Sequence, residues 1–260
     1  MPLFKKKRGT DDTIENGAKL ITLAKPKSPV AEQFRTVRTN INFMAVDHPI
    51  KSLAFTSANI SEGKSTIAAN VAVTYAQAGR KVLLIDADLR RPTVHATFNL
   101  SNHVGLSTVI SSTAKEVDLD SVVQESGVDN LYVLTAGPMP PNPAELIGSR
   151  RMRDFVKMTE EHYDLVILDL APILEVSDTQ ELSSHLDGVV LVVSQGKTPK
   201  LAIKRAVEML KFAKVRILGY VMNDVSSENS GYGYGYGYGY GYGYGDEDTK
   251  KKGLFSKFRK

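Results

Sequence analysis

Apolar positions along this chain change period several times, and the changes mark out its elements. Residues 1–28 carry no regular pattern, and Pro26 and Pro29 close that stretch. Over 30–44 apolar side chains recur at helical spacing, and beyond it short runs of Val, Ile and Leu alternate with further helical stretches. Strands are predicted at 53–56, 82–86, 131–135, 165–169, 189–194 and 217–223, and helices at 65–78, 149–162 and 199–213. Consecutive apolar residues, as at 188–193, belong to strands buried on both faces, and their alternation with helices predicts an α/β fold. The expected architecture is a mostly parallel β-sheet covered by helices on both faces. Ligands in such sheets bind at the carboxyl ends of the strands.

The pattern stops after the last strand. Seven of the eleven tyrosines alternate with glycine at Tyr232, Tyr234, Tyr236, Tyr238, Tyr240, Tyr242 and Tyr244, a composition with almost nothing to pack. Three segments are therefore expected. They are a disordered basic stretch over 1–28, one domain over 29–228 and a flexible tyrosine-rich and basic tail over 229–260.

What the domain could do is written at its strand ends. The first strand runs into Ala58-Asn59-Ile60-Ser61-Glu62-Gly63-Lys64-Ser65-Thr66 and then a helix, the strand-loop-helix context of a P-loop. Backbone N–H groups of Ser61, Glu62, Gly63, Lys64, Ser65 and Thr66 are placed to cradle phosphates. Lys64 is expected at the β/γ-phosphates of ATP and the Ser65 hydroxyl on Mg2+. Ala58 departs from the usual first glycine, and a lone Gly-Lys-Ser also occurs by chance in capping loops. Two acidic strand ends join it, Asp86-Ala87-Asp88-Leu89-Arg90 after 82–86 and Asp169-Leu170-Ala171-Pro172 after 165–169. In a parallel sheet these ends share one edge with the P-loop, where carboxylates can hold the waters of Mg2+ and orient an attacking hydroxyl. Asp86 is the candidate to orient or deprotonate that hydroxyl and, with Ser65 and Asp169, a candidate metal ligand, while Asp88 and Asp169 would support the metal and its water shell. Asn223, ending the last strand, is expected near the nucleotide base.

Charge changes this picture little. The net charge is +4, but Lys5 to Arg8 and the cluster over 246–260 together exceed it, so the middle of the chain is net negative. A broad nucleic-acid-binding face is therefore not expected. The basic ends carry apolar residues, in 3–8 and 254–260, and could bias the protein toward an anionic membrane surface, with plain solubilising tails as the other reading. No apolar run reaches membrane-spanning length, no signal peptide is recognisable, and the five histidines have no ligand spacing, so a cytoplasmic location is expected.

The P-loop, the Asp86-x-Asp88-x-Arg90 segment and the Asp169-x-x-Pro172 segment resemble the Walker A, A′ and B motifs of bacterial P-loop protein-tyrosine kinases of capsule and exopolysaccharide systems. Gly137-Pro138-Met139-Pro140-Pro141-Asn142-Pro143-Ala144-Glu145-Leu146 is similar to a loop of that family. Glu32-x-x-Arg35-x-x-Arg38, three charges on nearly one helix face, is similar to its subunit-contact motif. Departures are Ala58 for glycine, Ser61 where the family often has glycine, and Leu170-Ala171 where Thr-Pro is common.

The resemblance implies an ATP-dependent tyrosine kinase that phosphorylates its own tyrosine cluster between subunits of a ring, the helix over 30–44 mediating assembly. It further implies a membrane-embedded activator, a polysaccharide co-polymerase, that recruits the kinase to the inner face of the membrane. A tyrosine phosphatase and control of polysaccharide synthesis are implied in the same way. An ATP-driven positioning switch of the same fold, membrane- or DNA-associated, is the alternative. Such switches carry a second lysine soon after the first P-loop position, where this chain has Asn59.

Overall fold

The computed structural model describes residues 16–112 and 118–225. The tyrosines at 232–244 and the basic clusters at 5–8 and 254–260 lie outside the described residues.

Local sequence accounts for where the main elements begin. The hydroxyl of Ser28 accepts the Ala31 amide at 3.2 Å and Pro29 supplies a preset φ at the first turn, starting α2 (Pro29–Met44) behind a short α1 (Ile21–Ala24). After β1 (Ser52–Ser57), Gly63 at φ 93° turns the chain into α3 (Lys64–Gln77). Then come β2 (Val82–Asp86), α4 (Val94–Phe98), α5 (Leu106–Ser111), α6 (Leu119–Val122), β3 (Gln124–Glu125) and β4 (Leu131–Leu134). The chain continues through α7 (Pro143–Ile147), α8 (Arg150–His162), β5 (Leu165–Asp169), α9 (Ser177–Ser183), β6 (Gly188–Ser194), α10 (Lys200–Phe212) and β7 (Ile217–Asn223).

The seven strands form one sheet in the order β3-β4-β2-β5-β1-β6-β7, parallel except for β3 against β4. Because side chains alternate across a strand, Leu53 and Phe55 face one layer while Ala54 faces the other. One core packs the sheet against α2, α3 and α4 through Phe34, Ile41, Ile67, Val71, Tyr75 and Phe98. The second packs its opposite face against α5, α8, α9 and α10 through Leu106, Ile110, Phe155, Leu182 and Leu210. Helices thus cover both faces of a mostly parallel sheet, the architecture the apolar runs predict.

Two differences are informative. The patterned region begins earlier than residue 29. Thr22, in α1, is fully buried, donating through its amide and hydroxyl to Asn70 Oδ1 at 3.1 and 2.9 Å. Asn70 in turn donates to the carbonyls of Lys19 and Thr66. The polar pair holds the segment down together with Leu20 and Ile21, which pack on the core, and its four-residue helix is too short for hydrophobic periodicity to mark. The two-residue β3 and the short α4, α5, α6, α7 and α9 also escape periodicity, the helices being only about one to two turns long.

Candidate functional site

The topology decides which chain segments meet. β1 lies between β5 and β6, and β2 lies on the other side of β5, so the ends of β1, β2 and β5 are adjacent at one edge. Asp86 and Asp169 are direct register partners on neighbouring parallel strands. Lys64, opening α3 beside them, places its ammonium 2.9 Å from Asp88 Oδ2, 3.3 Å from Asp169 Oδ1 and 3.2 Å from Ser65 Oγ. Lys64, Asp86, Asp88 and Asp169 are all buried. The structure therefore brings the P-loop lysine and the three strand-end acids into one cluster.

Burying four ionisable groups together shifts their proton affinities. Burial works against the Lys64 charge, but the carboxylates of Asp169, Asp88 and Asp86 outweigh it, and the ammonium is held above its usual range. Asp86 is pushed up to about 8, first by burial and then by the Asp169 charge beside it. The Val94 amide and Lys64 oppose that rise. Asp86 Oδ2 accepts the Thr93 and Val94 amides at 3.0 Å each, and Oδ1 accepts the Asp88 amide at 3.3 Å. Asp169 is also raised, by burial, against the pull of Lys64 and the Ser65 hydroxyl.

The Asp169 Oδ2 atom is buried without a hydrogen-bond partner. A free carboxylate oxygen beside a P-loop hydroxyl suits a hard cation that keeps most of its waters, which is how Mg2+ binds beside phosphates. Among the described residues no three His, Cys, Asp or Glu side chains form a closed metal cage.

The P-loop itself is held from within and without. The buried Glu62 carboxylate folds back across the loop, accepting the Ala58 amide at 3.1 Å and Asn59 Nδ2 at 2.9 Å. Ser61 adopts φ 58°. That left-handed backbone is why glycine suits the position. Outside the loop, Asn223 Nδ2 donates to the Glu62 carbonyl at 3.1 Å, so Asn223 touches the phosphate loop directly. Lys197 donates to the Ser61 carbonyl.

The chain is similar to known proteins. A family model described as an AAA domain matches residues 50–215. The chain is 50% identical over 204 residues to the tyrosine-protein kinase YwqD of Bacillus subtilis, spanning 78% of this chain and 85% of that protein. The chain belongs to the bacterial tyrosine-protein kinases. It is 44% identical over 209 residues to CapB of Staphylococcus aureus, a putative tyrosine-protein kinase, spanning 80% of this chain and 90% of that one. The kinase domain of the Escherichia coli tyrosine kinase ETK superposes with a TM-score of 0.76 at 33% identity, covering 85% of this chain and 86% of that domain.

For this member of the tyrosine-protein kinases, not every expected site residue joins the cluster. Glu32, Arg35 and Arg38 lie on α2. Arg35 pairs with Glu32 at 2.7 Å and also donates to the Pro26 carbonyl, while Arg38 donates to the Thr74 carbonyl on α3. Arg38 is thus occupied within its own domain. Sequence reasoning missed Lys197, although it sits just past β6 at the same sheet edge. A survey of every strand end for basic residues finds it. Arg90 pairs with the buried Asp178 at 2.9 Å, an acid on α9 that no motif marked.

Proposed function

We propose that this tyrosine kinase transfers the γ-phosphoryl group of ATP to its own tyrosines at 232–244, between neighbouring subunits of a ring. The observation that carries this reading is the buried cluster in which Lys64 meets Asp88 and Asp169 at the end of the P-loop strand. N–H groups over 61–66 take the phosphates, and Lys64 moves its charge onto the β/γ oxygens. Ser65, and Asp88 and Asp169 through waters, would hold Mg2+, which would supply charge neutralisation there.

Asp86 receives the phenol proton as the new oxygen–phosphorus bond forms and the bond to ADP breaks. A carboxylate with raised proton affinity suits that task, since the free phenol has a pKa near ~10. Asn223 borders the nucleotide from the outer side of the loop. Each phosphate added to the tyrosine run contributes about −1.5 to −2 charge, so accumulated repulsion loosens the ring.

Glu32 and Arg35 contribute the exposed part of the subunit contact on α2. Among the described residues no helix is long and apolar enough to cross a membrane. The kinase is recruited to the inner membrane face by a membrane-embedded activator of the polysaccharide co-polymerase kind and reset by a tyrosine phosphatase. The process it regulates is capsular or exopolysaccharide synthesis. Names of the relatives support the reaction, and Asn59 in place of a second lysine separates it from the positioning switch.

Phosphotyrosine mapping after incubation with ATP and Mg2+, with an activator segment present, tests the proposal. Labelling at 232–244 that disappears in Lys64→Met and when those tyrosines are changed to Phe is expected. ATP hydrolysis without phosphotyrosine in the native chain overturns it in favour of the switch.

A further inference from the structure

A phosphate-binding loop works only if its peptide planes face the same way. The C=O and N–H of a trans peptide point in opposite directions, so a donor that captures the carbonyl outside the loop aims the paired N–H inward. Two side chains do this here, from elements remote in sequence. Lys197 Nζ donates to the Ser61 carbonyl, whose peptide plane carries the Glu62 N–H. Asn223 Nδ2 donates to the Glu62 carbonyl at 3.1 Å, whose plane carries the Gly63 N–H.

Both contacts fall where the backbone most needs holding, at Ser61 with φ 58° and Gly63 with φ 93°. A Cβ at residue 63 would lie 2.1 Å from Asn223 Nδ2, so the amide fills the space that glycine leaves. The two clamps are braced against each other. The Gln195 amide donates to the Asn223 carbonyl at 2.9 Å, and the Lys197 amide to the Ser194 carbonyl at 3.2 Å. Ser194 Oγ donates to Asp224 Oδ2 at 2.7 Å.

We propose that Lys197 is a positioning residue for nucleotide binding, holding the Ser61–Glu62 plane, with Asn223 on the next, so that their N–H groups face the nucleotide diphosphate. The proposal deepens the nucleotide reading above and rests on it. It also gives this chain an ammonium at the outer rim of a P-loop that has Asn59, not lysine, at its start. Being exposed, Lys197 is free to act on the loop without supporting the core.

The test is equilibrium binding of ADP, ATP and AMP to the full chain in the native form, Lys197→Met and Lys197→Arg, with urea unfolding of each. Losing one hydrogen bond from a charged donor weakens ADP and ATP alike by roughly five-fold in Lys197→Met. Lys197→Arg, whose guanidinium also reaches a carbonyl, stays within about twofold of native. AMP binding and the urea midpoints do not move. ADP affinity unchanged in Lys197→Met, or Lys197→Arg as weak as Lys197→Met, overturns the proposal. A loss seen for ATP but not ADP overturns it too, by placing the ammonium on the γ-phosphate. A native chain that binds no ADP brings down the nucleotide reading first, and this one with it.

Discussion

Two groups of charges in this molecule share chemistry and differ in solvent. At the sheet edge, Lys64 and three aspartates are buried against each other; on α2, Glu32 and Arg35 pair at 2.7 Å near the surface. In the buried cluster proton affinities shift and no group can be removed without stranding another. On α2 water already solvates both partners, so the pair contributes little to folding and is available for contact with another molecule. Distance alone does not separate the two, since 2.9 Å and 2.7 Å are nearly the same; burial does.

The comparison is broken most directly at Lys64. Lys64→Met abolishes tail phosphorylation and, by leaving Asp86, Asp88 and Asp169 without their cation, costs about 3–5 kcal/mol of folding stability at pH 8. At pH 5 Asp86 already carries a proton, so fewer charges are stranded and urea unfolding shows a smaller loss. Equal losses at both pH values refute the coupling. Lys64 itself stays charged at both pH values, because its folded pKa is raised and both lie below its ordinary value of 10.5, so the difference between them comes from the acids.

Buried but uncharged polar groups fall next. Asn70→Ala leaves Thr22 and the Lys19 carbonyl without their partner and costs about 1–3 kcal/mol. Protease cleavage within residues 16–25 rises as that strap loosens. A cleavage rate equal to native sinks the assignment of Asn70 as its anchor.

Asp86 gives a pH signature. Its folded pKa is raised from 3.8 to about 8, so the folded state holds a proton the unfolded chain has lost, and stability falls as pH rises through that window. Asp86→Asn removes this slope. Its stability relative to native moves in the variant's favour by several kcal/mol, roughly 4 for a folded pKa near 8, between pH 5 and pH 9. A pH-independent difference means that Asp86 is ionised in the fold throughout.

The smallest effect is expected on α2. Glu32→Ala changes domain stability by less than about 0.5 kcal/mol, as for other exposed pairs. It lowers the oligomer mass in sedimentation if the helix joins subunits. A large loss of folding stability with unchanged mass reverses that reading.

Much of this was legible along the chain. The strand and helix runs, the Gly-Lys-Ser loop and the acids at two strand ends depend on neighbouring residues, and their period or spacing is visible without a fold. Thr22 was not legible, because its partner Asn70 is 48 residues away and neither is apolar. Nor was the engagement of Arg38 with the Thr74 carbonyl, which removes one charge from a helix face that spacing had grouped together.

Residue order therefore established the sheet class, the phosphate loop and the family to which the chain is similar, since these are carried by local pattern. The sheet order decided the rest by inserting β5 between β1 and β2 and setting Asp86 against Asp169. It brought Lys64 to Asp169, 105 residues away, and Lys197 to Ser61, 136 residues away. Burial and mutual charge arise only when such distant groups share one volume, so the raised affinity of Asp86 and the clamping of the loop belong to the tertiary structure.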